Sequence, residues 1–109
     1  RTQVRCAAEE IASELRLAEQ LALTHHYRVR VLIDRDQREL VTQFVQTGLT
    51  HHVYRYRDKQ VVIEEPSGGA EILFHPSGRS ATATTIHLNG QAGLNQKLTV
   101  SITGRVSIL

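Results

Sequence analysis

The chain has little of what usually carries chemistry. It holds one cysteine, Cys6, among 109 residues. A lone cysteine excludes an internal disulfide and leaves no Cys/His spacing for zinc; on a helix it reads as a small packing residue. No apolar run reaches the roughly 18 residues that a membrane-spanning helix needs, and there is no secretory h-region. Lysine is scarce, with 2 Lys against 11 Arg, and the net charge is only +2. That balance is mildly basic and does not by itself make a nucleic-acid footprint. Gly68-Gly69 is followed by neither Lys-Ser/Thr nor a helix start, so it is no phosphate loop. Ser77-Gly78 lacks the G-x-S-x-G elbow leading into a helix, and Glu64-Glu65 are neighbours that point apart on a strand. No set of base, nucleophile and oxyanion donor assembles. The sequence predicts a protein that is not an enzyme and has no cofactor. Internal repeats and low-complexity tracts are absent as well.

What is present begins with Val4–Thr24. Val4, Ala8, Ile11, Leu15, Ala18 and Ala22 fall at alternating steps of four and three, one apolar stripe along a helix. Leu17 and Leu21 are expected to widen it on one flank. The other face carries Arg5, Glu9, Ser13, Arg16 and Gln20, with Arg5 and Glu9 spaced to pair. The stretch has no Gly or Pro and is rich in strong helix formers. Half of the stripe is alanine, so something flat can approach it closely. The helix is expected to end near Thr24–His26, where His25 and His26 suit the negative end of its dipole.

Short β-prone runs follow. Arg28–Asp34 alternates, with Val29, Val31 and Ile33 on one side. Arg35–Arg38 is a charged turn, and Glu39–Val45 fits neither period cleanly but reads as a strand. After Thr47-Gly48, His51–Arg57 alternates, with Val53 opposite Tyr54 and Tyr56. Gln60–Glu64 and Glu71–His75 are short strands around the Pro66–Gly69 loop, and Pro76–Gly78 is a turn. In Ser80–Leu88, Thr84, Ile86 and Leu88 share a side; Asn89-Gly90 then turns the chain. Lys97–Ile102 puts Leu98, Val100 and Ile102 inward, and Arg105–Leu109 closes after Thr103-Gly104. One helix and six to eight strands with no further helix for a parallel crossover give an α+β fold, a helix on antiparallel sheets.

Six histidines, at 25, 26, 51, 52, 75 and 87, invite a metal reading. Adjacent histidines on a strand point to opposite faces, and no pair has the helical i,i+4 spacing. The acidic trio Asp34, Asp36 and Glu39 is interleaved with Arg35 and Arg38 and reads as a solvated turn, not a calcium loop. Arg28 and Arg30 share one strand face, and Arg55 and Arg57 another beside Tyr54 and Tyr56. Arginine with aromatics holds single-stranded nucleic acid by charge and stacking, so these four are weak nucleic-acid contact candidates; exposed strand faces also use arginine simply to stay wet.

Ala12–Asp34, ASELRLAEQLALTHHYRVRVLID, resembles the N-terminal region of the GspH/FimT-type pseudopilins and minor pilins, where a helix of the form L…LR-AR-EAL enters a first strand ending in Asp. The far end agrees in order: Ile72–Arg79 for the strand running into F-P-G, Thr84–Leu88 for the T-L strand, and Leu98–Val106 for the strand ending in GR. Resemblance is least over 37–69. It implies a type IV pilin-like single domain over 1–109, with 1–26 the C-terminal half of the pilin helix and 27–109 the sheet head. An upstream apolar segment of about 20–25 residues, behind a leader cut by a dedicated peptidase, is then expected before the abrupt start at Arg1. The implied role is a minor filament subunit in the bacterial inner membrane, single-pass, with its head in the periplasm or outside the cell. Its implied partners are other pseudopilins or pilins, with secreted substrate or DNA as further candidates. The alternatives are a type II secretion pseudopilus, active in assembly and protein export, and a type IV pilus or competence apparatus that takes up DNA. One Arg before an apolar terminus, Gly104–Leu109, departs from the basic end of DNA-binding relatives.

Overall fold

A computed structural model of the chain describes residues 3–81 and 83–109. Helix α1 spans Gln3–His25. Its last residue is followed by His26 in the left-handed region, φ 58°, the conformation in which helices commonly stop. Eight strands follow: β1 Val29–Asp34, β2 Glu39–Phe44, β3 Thr50–Arg55, β4 Val62–Ile63, β5 Glu71–Phe74, β6 Thr84–Asn89, β7 Asn95–Val100 and β8 Val106–Ile108. They form two four-stranded antiparallel sheets, ordered β3-β2-β1-β5 and β4-β6-β7-β8.

The helix lies on both sheets. Val4, Ala8, Ile11, Leu15, Ala18 and Ala22 are buried, and so are Ala7 and Ala12 on either side of them. The sheets meet that face with Val29, Val31, Ile33, Leu40, Ile72 and Phe74 from the first and Ile63, Ile86, Leu88, Leu98 and Val100 from the second. Register fixes which side of each strand turns inward: Val31 opposes Thr42 and Ile72, and Ile86 opposes Leu98. Fully burying Ile11 or Leu15 stabilises the fold by about 1.5–3 kcal/mol each.

The chain itself laces the two sheets together. After β4 it keeps pairing along β6, with Glu64 N–H donating to the His87 carbonyl (3.0 Å) and Ser67 N–H to that of Thr85 (3.1 Å). It then crosses to the first sheet, where the Ala70 carbonyl accepts from Ile33 N–H (2.8 Å) and β5 pairs with β1. Arg35 adds a side-chain tie, Nε donating to the Ile63 carbonyl at 3.1 Å.

Several expectations need correction. Leu17 does not widen the stripe: it is 39% exposed. At 100° per residue it sits about 140° from the stripe's centre, whereas Ala7 and Ala12 flank it closely; Leu21 packs only partly against the core. Ile102 is not inward but 55% exposed, because β7 stops at Val100 and the chain turns through 101–104. That turn needs glycine: Gly104 has φ +88°, and a side chain there would collide with the Gly78 carbonyl and the Glu19 carboxylate. The sixth strand starts at Thr84, not Ser80, which makes only an isolated bridge to Phe74; position 82, inside the expected strand, lies outside the described residues. Tyr56 and Arg57 fall beyond the end of β3, and Tyr56 is buried in the core.

Leu15→Asp places a charge at the centre of the shared core and is expected to abolish the cooperative thermal transition, as read by circular dichroism. Thr42 Oγ1 is buried and takes no hydrogen bond among the described residues. Thr42→Val removes that cost at nearly constant shape and is expected to stabilise by about 1 kcal/mol in a denaturant titration.

Candidate functional site

Because the buried stripe takes up one side of α1, function has to be sought on its flanks and on the sheet surfaces. The outward face carries Arg5 and Glu9, paired at 3.6 Å, with Ser13 Oγ donating back to the Glu9 carbonyl at 3.0 Å. Two long side chains reach from this face to the second sheet: Arg5 Nη1 donates to Gln96 Oε1 and Arg16 Nη2 to the Val106 carbonyl, both at 3.0 Å.

The flank over β3 is polar. Tyr54 O–H donates to Glu10 Oε1 at 2.5 Å, and Lys59 Nζ lies 3.6 Å from the same oxygen. His52 Nε2 is 3.2 Å from Glu14 Oε1, within ion-pair distance but off the line of a hydrogen bond, so that buried oxygen takes none. His52 and Tyr54 oppose Thr42 and Leu40, so β3 turns toward the helix the side that its neighbours use for the core. Burial first, then the hydrogen bond to Glu10 and the negative charges of Glu10 and Glu14, hold the Tyr54 phenol well above its ordinary pKa. It stays a donor across the physiological range. No sequence pattern joined these residues, since their partners lie some forty positions apart; the one available signal was Glu10 and Glu14 at i,i+4 beside the stripe.

The four arginine candidates are placed as follows. Arg30 lies 3.9 Å from Glu71 and donates to Gln43 Oε1 at 3.0 Å. Arg55 and Arg57 come together on one oxygen of Glu39, each at 3.4 Å. Arg28 is exposed at the start of β1. Three of the four therefore face a carboxylate, and Tyr54 and Tyr56 turn inward, away from any base that would stack. The acidic trio is likewise occupied: Asp34 Oδ1 accepts the backbone N–H of Asp36 (3.1 Å) and Gln37 (3.0 Å), and Glu39 is held by the two arginines. Among the described residues, no group of three or more His, Cys, Asp or Glu could hold a metal ion.

Two open clefts lie at the edges of the sheets' core. One, of about 330 Å³, is lined by Gln3, Val4, Gln60, Gly90, Gln91 and Leu94. The other, of about 310 Å³, is lined by Arg35, Asp36, Arg38, Tyr56, Val62 and Ile63. Neither sets a nucleophile beside a base. Desolvation raises the pKa of the Tyr56 phenol despite Arg38 and Arg35 nearby.

A long helix with one face sunk into two antiparallel sheets defines a type IV pilin-like head. The chain belongs to the GspH family, described as Type II transport protein GspH, which matches residues 7–104. The fold is similar to that of the type IV minor pilin FimU of Pseudomonas aeruginosa, with TM-score 0.84, 16% identity, and 97% of this chain and 87% of that one covered. It is also similar to the minor pseudopilin EpsH of the Vibrio cholerae type II secretion system, with TM-score 0.81, 16% identity, and 98% and 96% covered. No curated protein matches the chain significantly by sequence. No helix among the described residues is long and apolar enough to cross a membrane.

The tie between β3 and the helix is testable by a double-mutant cycle. Tyr54→Phe and Glu10→Gln are each expected to destabilise by about 1–2 kcal/mol, and the double variant by clearly less than their sum. Equilibrium unfolding of the four proteins reads the coupling.

Proposed function

We propose that this chain is the head of a minor pseudopilin of a type II secretion system, a non-enzymatic subunit acting in filament assembly and protein export. One observation carries the reading: a single 23-residue helix gives one face to its own sheets, while Arg5, Ser13, Arg16, Leu17 and Gln20 away from that face are exposed. Such a helix supports a head at one end and continues as an anchor at the other. Membership in the GspH family supports the same role. In this reading an upstream apolar segment of about 20–25 residues holds the subunit in the bacterial inner membrane, with the head in the periplasm and other pseudopilins as neighbours.

The second reading is a minor pilin of a type IV pilus or competence apparatus, favoured by the likeness to FimU. Direct DNA binding gains little from the geometry, because Arg30, Arg55 and Arg57 already face carboxylates. Phosphate-driven binding requires free cations and fades steeply with salt.

Deleting the gene in its host and restoring the full-length protein separates the two. The secretion reading predicts loss of protein export with surface pili retained, and recovery on complementation. Loss of pili or of DNA uptake with export intact would contradict it and establish the second reading.

A further inference from the structure

The end of the head where α1 stops differs from the rest of the surface. Four segments meet there: 23–28, 44–51, 75–81 and 101–105. Phe44 ties the first two, with the rings of His25, Tyr27 and His51 edge-on to it at 5.5, 6.1 and 5.9 Å. Val45 N–H donates to the Arg28 carbonyl (3.0 Å) and Phe44 N–H to that of Leu49 (3.0 Å). The third segment joins because Phe74 opposes Val29, which sets His75 beside Arg28, and because Gly78 sits against the Leu23 side chain. The fourth joins through Ser80 N–H, which donates to the Ile102 carbonyl at 3.0 Å.

These segments contain none of the chain's 11 acidic residues. They hold Arg28, Arg79 and Arg105 and four of the six histidines, at 25, 26, 51 and 75. Between the cations stand large exposed apolar side chains: Leu23, Tyr27 (45%), Leu49 (64%) and Ile102. One carboxylate borders these segments, Glu19 on the helix, against Gly104; burial raises its pKa above the ordinary carboxylate value. The charged side chains within the segments are Arg28, just before β1, and Arg79 and Arg105 in the turns.

We propose that this end of the head, where α1 stops, is a docking surface for an acidic polypeptide segment with apolar side chains. The inference rests on the filament-subunit reading only for its expectation of a protein partner. Charge chooses an anion, since three arginines beside a single bordering carboxylate make a net cationic surface, which repels its like and steers its opposite. The interleaved Leu23, Tyr27, Leu49 and Ile102 choose a polypeptide over a nucleic acid. Arginine and aromatic side chains among apolar ones are the composition of protein interface centres. A base would need an aromatic face to stack on; Phe44 is enclosed by its three neighbours, which leaves Tyr27 as a single exposed ring among aliphatic side chains.

The test is binding of a fluorescent random copolymer of glutamate and tyrosine to the purified protein, followed by anisotropy. A single-stranded oligonucleotide and vesicles of anionic phospholipid serve as competing probes. The copolymer is expected to bind at least about tenfold tighter than a random copolymer of lysine and tyrosine. Arg28→Glu with Arg79→Glu is expected to abolish binding, and Leu49→Ser to weaken it several-fold. Lys97→Glu, on the second sheet away from this end, is expected to leave it unchanged. Circular dichroism melts establish that each variant is folded, and Leu49→Ser, at an exposed position, serves if the double arginine variant is not. Copolymer binding that is absent, indifferent to the sign of the copolymer's charge, or equal in the folded variants overturns the proposal. So does tighter binding of the oligonucleotide or of the vesicles. This assay reads the surface alone, so it can fail while the secretion phenotype holds, and the reverse.

Discussion

Alanine at positions 7, 8, 12, 18 and 22 leaves the buried side of α1 nearly flat, and both sheets depend on that flatness. A helix with leucine at those positions would stand several ångströms further from each sheet. The strands would then have to bow outward or leave voids, and interiors pack too densely to tolerate either cheaply. The three larger side chains of the stripe, Val4, Ile11 and Leu15, precede Ala18 and Ala22 and belong to one core cluster with Val29, Val31 and Leu40 of the first sheet and Ile63, Ile86, Leu88 and Leu98 of the second.

The first sheet's edge is held by a different means. β3 shows no fully buried residue, so apolar area cannot be what keeps it in place. Its ties are the ladder to β2 and the polar contacts of Tyr54, His52 and Lys59 with Glu10 and Glu14. Exposed ion pairs contribute little individually, and the Tyr54–Glu10 bond is the strongest of the set because it is charge-assisted and partly dry. This edge is therefore the softer part of the head, while β1, β6 and β7 lie in its densest part. An edge strand offers unpaired backbone groups to a neighbour. In a subunit proposed to live in a filament, a tethered polar edge limits indiscriminate pairing.

Local chemistry made much of this legible in the sequence. The helix period over Val4–Ala22 and the alternation of Val29–Ile33 and Leu98–Val100 are patterns of single elements, and each appears in the structure as an element with those residues buried. The resemblance of the two chain ends pointed to the family that the whole chain matches. What did not show was anything decided by distant pairs. Ile102 continues a clean alternation, yet Gly104 ends the ladder two residues earlier than the pattern suggests. Nothing local announces that the segment after β4 crosses from one sheet to the other. Arg55 and Arg57 read as a basic face until Glu39, from the neighbouring strand, is found between them. The end of the head around Phe44 assembles from four separate turns, none of them distinctive alone.

The central claim is that one flat helix face holds two sheets as a single unit. Native-state hydrogen exchange, resolved by residue, tests it most directly. The account predicts that amides of α1 around Ile11–Ala18, of β1 in the first sheet and of β6 and β7 in the second share the highest protection and open together, with β3 opening more readily. Helix amides that exchange freely while either sheet stays protected, or two sheets with separate opening energies, would contradict it.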